Sequence, residues 1–435
     1  MNGQQTLIAR GTVSILAGIA SVLACSTSYL FSVPSRLFDR LLSLAFCVSR
    51  IGIFALIFIV LHIAPRGDIP AYYWPEANSV LKGLLPYRDF TSSYSPLHPY
   101  MDAAVISLWH SPLAIILLAI LAECVLFPLW LRFARAFLSE AETRTSAILY
   151  LTSAISIQFV AIDGQNNVII ALLLGLSLFF LVRHKPLLSG LSTGLSIAAV
   201  KFLPLLFVPA YFLSLRRRWS WLAGLTLVLL LVYGTCAVLH LPMLTPLQGQ
   251  GDLKTAGNLP YLVESILGIS LSNRLWDLIF LVVLAAIFLV VARAVRSATP
   301  ESRLRIITFS MAALTLALLT FSKKSWPPYM MLALFPICAL VDRRRISLIG
   351  FALVGFVASV SPSYWATVLL QPSSLKEHQG LLAGHAPNFI LLGLQIALIA
   401  GYGWLFRLSL QSIASASQFS SPAPETSSAL SPSSV

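Results

Sequence analysis

Long apolar segments recur along almost the whole chain, and they constrain the fold more than any other feature. Runs of roughly 17–25 apolar residues, each long enough to cross a bilayer as a helix, follow one another between residues 41 and 408. Only 10% of the residues are charged, whereas a soluble domain carries about 25%. We therefore predict an all-α, polytopic transmembrane helix bundle of about twelve to thirteen helices.

The basic residues predict how the bundle lies in its membrane. Lys and Arg fall between the apolar runs and mainly in alternate loops, as the positive-inside rule requires. The net charge of +13 is therefore attributed to topology, and no nucleic-acid partner is expected. Basic clusters such as Arg216–Arg218 and Arg343–Arg345 mark the cytoplasmic side. The larger loops at 67–102 and 241–275 then face outward, with the turn at 322–326 and the loop at 371–387.

The same pattern divides the chain into three parts. Residues 1–40 form an N-terminal segment whose apolar run is either a signal ending near Cys25 or an extra membrane helix; Leu23 is a poor residue before a cleavage site, which favours the helix. Residues 41–410 form the transmembrane domain. Residues 411–435 are rich in Ser and Pro and are expected to be a disordered cytoplasmic tail.

The first outer loop, 67–102, carries several carboxylates and many aromatic residues. Asp68 stands where an apolar helix ends, and a carboxylate at a membrane boundary can act as a general base on a lipid-delivered substrate. Glu76 and Asp89 are alternative bases or ligands. Tyr87 and Tyr94 are expected to stack on a sugar or to dock the loop on the bilayer.

Three further polar interruptions carry candidate residues. Lys201 separates two apolar runs and is a candidate phosphate ligand, because charge within a membrane segment is usually functional or paired; snorkelling to the interface is the alternative. Amides at 165 and 166 could bind a sugar or cap a helix. The turn at 322–326 and the residues just after it supply cations and aromatic rings. These candidates are Gln165, Asn166, Lys323, Lys324, Trp326 and Tyr329.

Metal and disulfide chemistry receive little support from the sequence. The five cysteines all lie in apolar stretches, and neither they nor the histidines show the spacing of a metal site. We therefore expect no metal and no cofactor. A divalent ion held by Asp68 and Asp89 stays open as an alternative.

Several motifs in this order resemble glycosyltransferase family 87, whose members are membrane enzymes of the GT-C class that use polyprenol-phosphate mannose. The first outer loop reads G-D-x-x-x-Y, then P-Y-R-D-F and Y-x-P-L. Further matches are G-Q-x-N from Gly164, the Gly190–Pro204 stretch with its lysine, and S-x-x-S-W-x-x-Y from Ser322. No single motif is specific, but their order and placement carry the resemblance over roughly residues 60–345.

The resemblance implies a GT-C fold and an inverting transfer of a hexose, with mannose as the family expectation. The donor would be a polyprenyl-phosphate sugar, and the acceptor a glycolipid or glycan. Asp68 would be the catalytic base, and the donor phosphate would meet Lys201 with one or more of Arg274, Lys323 and Lys324. The family often has a histidine where this chain has Pro328. The expected location is a bacterial plasma membrane, with the site facing outside and the C-terminus in the cytoplasm.

Two other functions compete with this interpretation, and a structural subunit with a degenerate GT-C fold is a third alternative, against which the presence of Asp68 argues. A transporter or lipid flippase would place broken helices and charges near the bilayer midplane, whereas the polar interruptions here cluster toward the outer side. A protein of the O-antigen ligase or polymerase type would carry its large outer loop later in the chain. The richest outer loop here is the first one, so both alternatives are less favoured than the transferase.

Overall fold

The structure is a computed structural model that describes residues 3–244, 253–368 and 386–416. These residues are mainly helical, and no strand occurs among them. The α-helices are α1 (Gly3–Ser26), α2 (Ser28–Ser32), α3 (Ser35–Phe54), α4 (Trp74–Leu81), α5 (His98–Leu108), α6 (Pro112–Phe133), α7 (Glu140–Leu151), α8 (Ala154–Ser156), α9 (Asn167–Val182), α10 (Pro186–Ala199), α11 (Val208–Ser214), α12 (Arg218–Val238), α13 (Leu259–Leu267), α14 (Asn273–Arg296), α15 (Pro300–Phe321), α16 (Leu334–Cys338), α17 (Arg345–Val368) and α18 (Ala386–Ser415). Shorter turns are π-helical at Ala55–Val60, Ile69–Tyr73 and Ile157–Ile162, and 3₁₀ at Ala134–Ala136, Leu203–Phe207 and Pro327–Ala333.

The described residues contain nine helices that are long and apolar enough to cross a membrane, and four shorter apolar helices. The predicted all-α polytopic bundle is thereby confirmed. The N-terminal run forms a membrane-length helix, Thr6–Ser26. The last helix continues to Ser415, so it extends into the segment expected to be a tail. Residues 417–435 and most of the 371–387 loop lie outside the described residues.

The bundle is organised around α15. Every residue of this helix from Ile306 to Thr320 is buried. By contrast, α14 beside it exposes apolar side chains such as Leu278 and Leu281, as expected of a helix that faces lipid. A helix that is apolar on all sides and buried on all sides belongs at the centre of a bundle.

Close helix packing fixes the position of α10, which ends just before Lys201. A Cβ atom at Gly190 would lie 1.9 Å from the carbonyl oxygen of Trp221, and one at Gly224 would lie 2.2 Å from that of Leu187. Only glycine therefore permits this approach of α10 to α12, in the way that small residues bring membrane helices together.

Polar contacts gather at the two opposite ends of the bundle. One end, here called the basic end, holds arginines of the loops that the sequence assigns to the cytoplasm. Arg135 pairs there with Asp39 at 2.8 Å, Arg303 donates to the Ser214 carbonyl at 2.9 Å, and Arg343 donates to the Cys25 carbonyl at 3.2 Å. The other end, here called the site end, joins residues 66–68, 94–98, 163–166, 201 and 322–326.

Candidate active site

Asp68 stands at the start of a π-helical turn at the site end. The residue before it, Gly67, has φ +63°, a left-handed conformation that costs most other residues about 1–2 kcal/mol. The chain reverses at this glycine and enters the Ile69–Tyr73 turn. The Asp68 side chain is partly exposed, and Tyr73 Oη lies 3.4 Å from its Oδ2. Part of the Asp68 side chain is therefore accessible from outside the bundle.

Gln165 reaches Asp68 from a distant part of the chain. Its Nε2 donates a hydrogen bond of 3.0 Å to Asp68 Oδ2. Gly164, just before it, has φ +61°, and a Cβ there would lie 2.8 Å from Ile116 Cγ1 and 3.0 Å from Ile69 Cδ1. The turn that carries Gln165 is therefore packed against the residue that follows Asp68, which aligns the two side chains.

The first predicted outer loop is docked onto the C-terminal end of α10. Ser95 N donates to the Val200 carbonyl at 2.9 Å, and Leu97 N donates to the Ala198 carbonyl at 3.1 Å. Ser95 Oγ also donates to the Ile197 carbonyl at 2.7 Å. Helix ends leave such carbonyls without partners within the helix. The loop satisfies them and thereby brings Tyr94 next to Lys201.

Lys201 lies between two aromatic rings and within electrostatic range of Asp68. Its Nζ is 5.3 Å from the ring centre of Tyr94 and 5.2 Å from that of Tyr329, within the range of cation–π attraction. The Asp68 carboxylate interacts with it electrostatically. The structure thus brings together four of the residues that the sequence marked as candidates: Asp68, Tyr94, Lys201 and Tyr329.

The turn at 322–326 directs its two lysines differently. Lys323 Nζ forms an ion pair of 2.7 Å with Asp277, and the Lys323 carbonyl accepts a hydrogen bond of 3.0 Å from Thr255 N. Lys324 is instead repelled electrostatically by the positive charge of Lys201. Burial, together with that charge, lowers the pKa of Lys324 to about 8. Lys324 therefore lies within electrostatic range of Lys201, whereas the Lys323 ammonium is paired with Asp277.

His98 contacts aromatic residues of the first loop and Asn166 of the turn that carries Gln165. Its buried imidazole stacks on Tyr94 at 4.4 Å and meets Tyr73 edge-on at 4.9 Å. Its Nε2 contacts Asn166 Nδ2 and lies 3.3 Å from Asp102 Oδ2. Burial, with the charge of Lys201 as second cause, lowers the pKa of His98 to about 3. The ring is therefore neutral and positions Tyr73 and Tyr94.

In the described parts of the chain, the remaining candidates form no hydrogen bond or ion pair with the Asp68 carboxylate, whose partners are Tyr73 and Gln165. Asp89 is paired with Arg88 at 2.9 Å and accepts from Leu85 N at 2.8 Å. Arg274 is exposed and Trp326 is half-buried.

Glu76 and Tyr87 form hydrogen bonds within the first predicted outer loop. Glu76 is buried and accepts a hydrogen bond of 2.7 Å from Ser92 Oγ. Burial raises the pKa of Glu76 to about 7, and the Ser92 bond opposes part of that rise. Tyr87 has φ +67°, and its hydroxyl donates to the Tyr94 carbonyl. Both residues support the segment that holds Tyr94.

A sequence model of glycosyltransferase family 87 matches residues 96–322, which is more than half of the chain. The chain belongs to glycosyltransferase family 87. It is an integral membrane glycosyltransferase, so the transporter interpretation is not carried further. A search of curated proteins found no match to this chain.

The family 87 match covers part of the site just described. It includes His98, Gln165 and Lys201. It begins after Asp68 and ends before Lys324. The roles of these two residues therefore depend on the geometry of this chain and on the resemblance of its first loop.

His98, which begins α5, was not among the sequence candidates for this site. Only the four-residue spacing of His98 and Asp102, which places them on one face of a helix, could have pointed to the pair. In the described parts of the chain, no group of three or more His, Cys, Asp or Glu could hold a metal ion.

Proposed function

We propose that this protein transfers a hexose from a polyprenyl-phosphate donor to a hydroxyl group of a glycolipid or glycan, with Asp68 as general base. The observation that carries the proposal is the convergence of Asp68, held by Gln165 at 3.0 Å, with the two neighbouring cations Lys201 and Lys324. A base beside paired cations suits a reaction in which a hydroxyl loses a proton while a phosphate leaves.

The two lysines favour a phosphate as the donor's leaving group. Like charges that face each other in a partly buried site repel, and this repulsion contributes to the lowered pKa of Lys324. An anionic phosphate between the two ammonium groups would relieve the repulsion and hold both lysines protonated. Binding of the donor is then favoured over binding of a neutral sugar.

The aromatic rings favour a sugar next to that phosphate. Tyr94 and Tyr329 flank Lys201 at 5.3 Å and 5.2 Å from its Nζ. Their ring faces provide apolar surface on which a hexose can pack, while their hydroxyl groups supply hydrogen-bonding partners. Mannose is the sugar that the family resemblance favours.

The chemical step is a single displacement. The acceptor oxygen attacks the anomeric carbon as its proton passes to the Asp68 carboxylate, and a new C–O bond forms. The bond between the anomeric carbon and the phosphate oxygen breaks. The released polyprenyl phosphate keeps the bonding electron pair, and Lys201 and Lys324 stabilise its additional charge. One displacement inverts the anomeric centre, so a β-linked donor yields an α-linked product.

We assign the site to the extracytoplasmic side of the membrane. The loops rich in arginine gather at the basic end of the bundle, and such loops face the cytoplasm. Asp68, Lys201 and Lys324 lie at the opposite end. A lipid-linked donor that has been flipped across the membrane would present its sugar there.

The test is a transfer assay in nanodiscs with radiolabelled polyprenyl-phosphate mannose and a lipid and glycan extract from the native host as acceptor. Wild type should label a product, and Asp68→Asn should not. Asp89→Asn is the matched control, because it also removes a carboxylate of the first loop, and it should transfer like wild type. Wild type that transfers from no polyprenyl-phosphate hexose would overturn the donor class. Equal transfer by Asp68→Asn would overturn the base.

A further inference from the structure

The N-terminal helix α1 lies outside the part of the chain that the family matches, residues 96–322. It is long enough to span the membrane and packs along α17, where a Cβ at Gly18 would lie 3.1 Å from Ala352 Cβ. Near the C-terminal end of α1, the Cys25 carbonyl accepts a hydrogen bond from Arg343. The helix therefore runs from the basic end of the bundle to the site end.

At the site end, α1 is fastened to the segment that leads into Gln165. Arg10 forms an ion pair with Asp163, two residues before Gln165. Gln158 Nε2 donates to the Arg10 carbonyl at 2.7 Å and to Ser14 Oγ at 2.8 Å. The Arg10 and Asp163 side chains are only 13% and 15% exposed, so solvent screens this pair less than it screens a surface pair.

The same end of α1 also contacts the segment that leads into Asp68. Arg66 Nη1 donates a hydrogen bond to Thr6 Oγ1, and Arg66 stands two residues before Asp68. Thr6 and Arg10 are four residues apart and therefore lie on one face of the helix. One helix face thus holds both chain segments whose side chains meet in the Gln165–Asp68 hydrogen bond.

We propose that α1 is a positioning element of the active site, with Arg10 as its principal residue. Arg10 touches neither substrate nor base; it acts through Asp163, which fixes where the Gly164–Gln165 turn presents its amide to Asp68. Each of the two turns contains a glycine with positive φ, at Gly67 and Gly164. Because glycine has little conformational preference of its own, contacts from outside must fix these turns. This inference rests on the proposed function.

Charge reversal tests the proposal. Arg10→Asp and Asp163→Arg should each lower kcat about 10- to 100-fold, since small displacements of catalytic groups have effects of that size, and should change the donor KM little. The double reversal should recover most of the lost kcat, and Arg10→Lys should keep most of it. Wild-type kcat in the single variants, or no recovery in the double variant, would overturn the proposal.

A second helix contact supplies the matched control. Ser21 Oγ and Thr152 Oγ1 are hydrogen-bonded at 2.7 Å, about 16 Å along α1 from Arg10 at 1.5 Å per residue. Ser21→Ala weakens the docking of α1 without touching the site end. It should leave kcat at the wild-type value. If Ser21→Ala lowers kcat as much as Arg10→Asp does, weaker docking of α1 explains the loss in both variants. That result would overturn the proposal.

A measurement without substrate separates this inference from the proposed function. Gln165→Cys is labelled with a fluorescent maleimide in nanodiscs, with the partly exposed Cys47 and Cys124 replaced by alanine. Adding Arg10→Met should increase the labelling rate about tenfold, because the turn is released. An unchanged rate would overturn the positioning role. If wild type transfers no sugar in any assay, the proposed function fails, and the labelling result still decides the role of α1.

Discussion

Gln165 donates a 3.0 Å hydrogen bond to Asp68 across 97 positions of sequence. Each partner directly follows a glycine with positive φ, Gly67 at +63° and Gly164 at +61°. Two sharp turns from distant parts of the chain thus present a carboxylate and an amide to each other. The amide orients one carboxylate oxygen and leaves the other available to a substrate.

The two glycines should differ in their tolerance of a methyl group. Gly67→Ala adds a Cβ in open space, whereas Gly164→Ala places one 2.8 Å from Ile116 Cγ1. Gly164→Ala should therefore displace Gln165 and lower kcat/KM about 100-fold, and Gly67→Ala should have a smaller effect. Gly83→Ala is the control, because Gly83 has φ +81° and no neighbour within 4 Å. Equal activity of the Gly164→Ala and Gly83→Ala proteins would contradict this account.

We expect Lys201 and Lys324 to bind the donor and Lys323 to hold the turn at 322–326. Lys201→Gln and Lys324→Gln should each raise the donor KM at least about tenfold, because each removes a charge from the phosphate site. Lys323→Gln should behave like Asp277→Asn, since the two residues pair at 2.7 Å. Both should lower the melting temperature and leave the donor KM near its wild-type value. Kinetics with varied donor at saturating acceptor provide the measurement.

If the donor KM rises in Lys323→Gln but not in Lys324→Gln, then Lys323 binds the donor phosphate and Lys324 does not. Asp277→Asn is then the deciding control, because it frees the Lys323 ammonium without removing it. If Asp277→Asn lowers the donor KM, Lys323 can reach the phosphate.

The donor affinity should depend on pH through Lys324, whose pKa is lowered to about 8. Its ammonium binds phosphate, so the binding-competent form predominates below that value and is lost as pH rises through it. The donor kcat/KM should therefore fall above about pH 8. Lys324→Arg keeps a charge at higher pH, since guanidinium does not titrate in this range. The fall should then move to higher pH, and an unmoved profile would exclude Lys324 as its source.

Glu76 should make the stability of the protein depend on pH. Its pKa is raised from the ordinary value to about 7 by burial, so the folded state prefers the neutral acid. The stabilisation is complete below the unfolded pKa of about 4.3 and is lost as pH rises to about 7. The melting temperature in detergent should fall over that window.

Glu76→Gln should flatten this dependence, because the amide oxygen can still accept the hydrogen bond from Ser92. Asp89→Asn removes an exposed carboxylate instead. The hydrogen bond from Arg88 holds the pKa of Asp89 below its ordinary value, so this substitution should leave the slope between pH 5 and 7 unchanged. A Glu76→Gln protein with the wild-type slope would assign the dependence to another group.

The sequence predicted the bundle and much of the site because polarity is rare in this chain. Any charge or amide that interrupts an apolar run stands out, and Asp68, Gln165, Lys201 and Lys324 were found in this way. The length of the apolar runs and the composition also predicted the helices, since a helix that crosses the bilayer needs about 20 apolar residues.

Other features depend on which loops meet, and polarity does not encode that. Lys323 and Lys324 are equivalent in sequence, and only the ion pair with Asp277 and the nearby charge of Lys201 distinguish them. The place of His98 between Tyr73 and Tyr94 follows from the docking of the loop on α10. The contacts of Arg10 and Thr6 with the site likewise depend on how α1 packs.

The most direct test of the central claim is a single-turnover comparison of wild type and Asp68→Asn with bound polyprenyl-phosphate mannose. If Asp68 is the general base, the variant should bind the donor with wild-type affinity and transfer the sugar about 100- to 10,000-fold more slowly, the usual contribution of a general base. Weakened donor binding with an unchanged transfer rate would show that Asp68 binds the donor and that the base lies elsewhere.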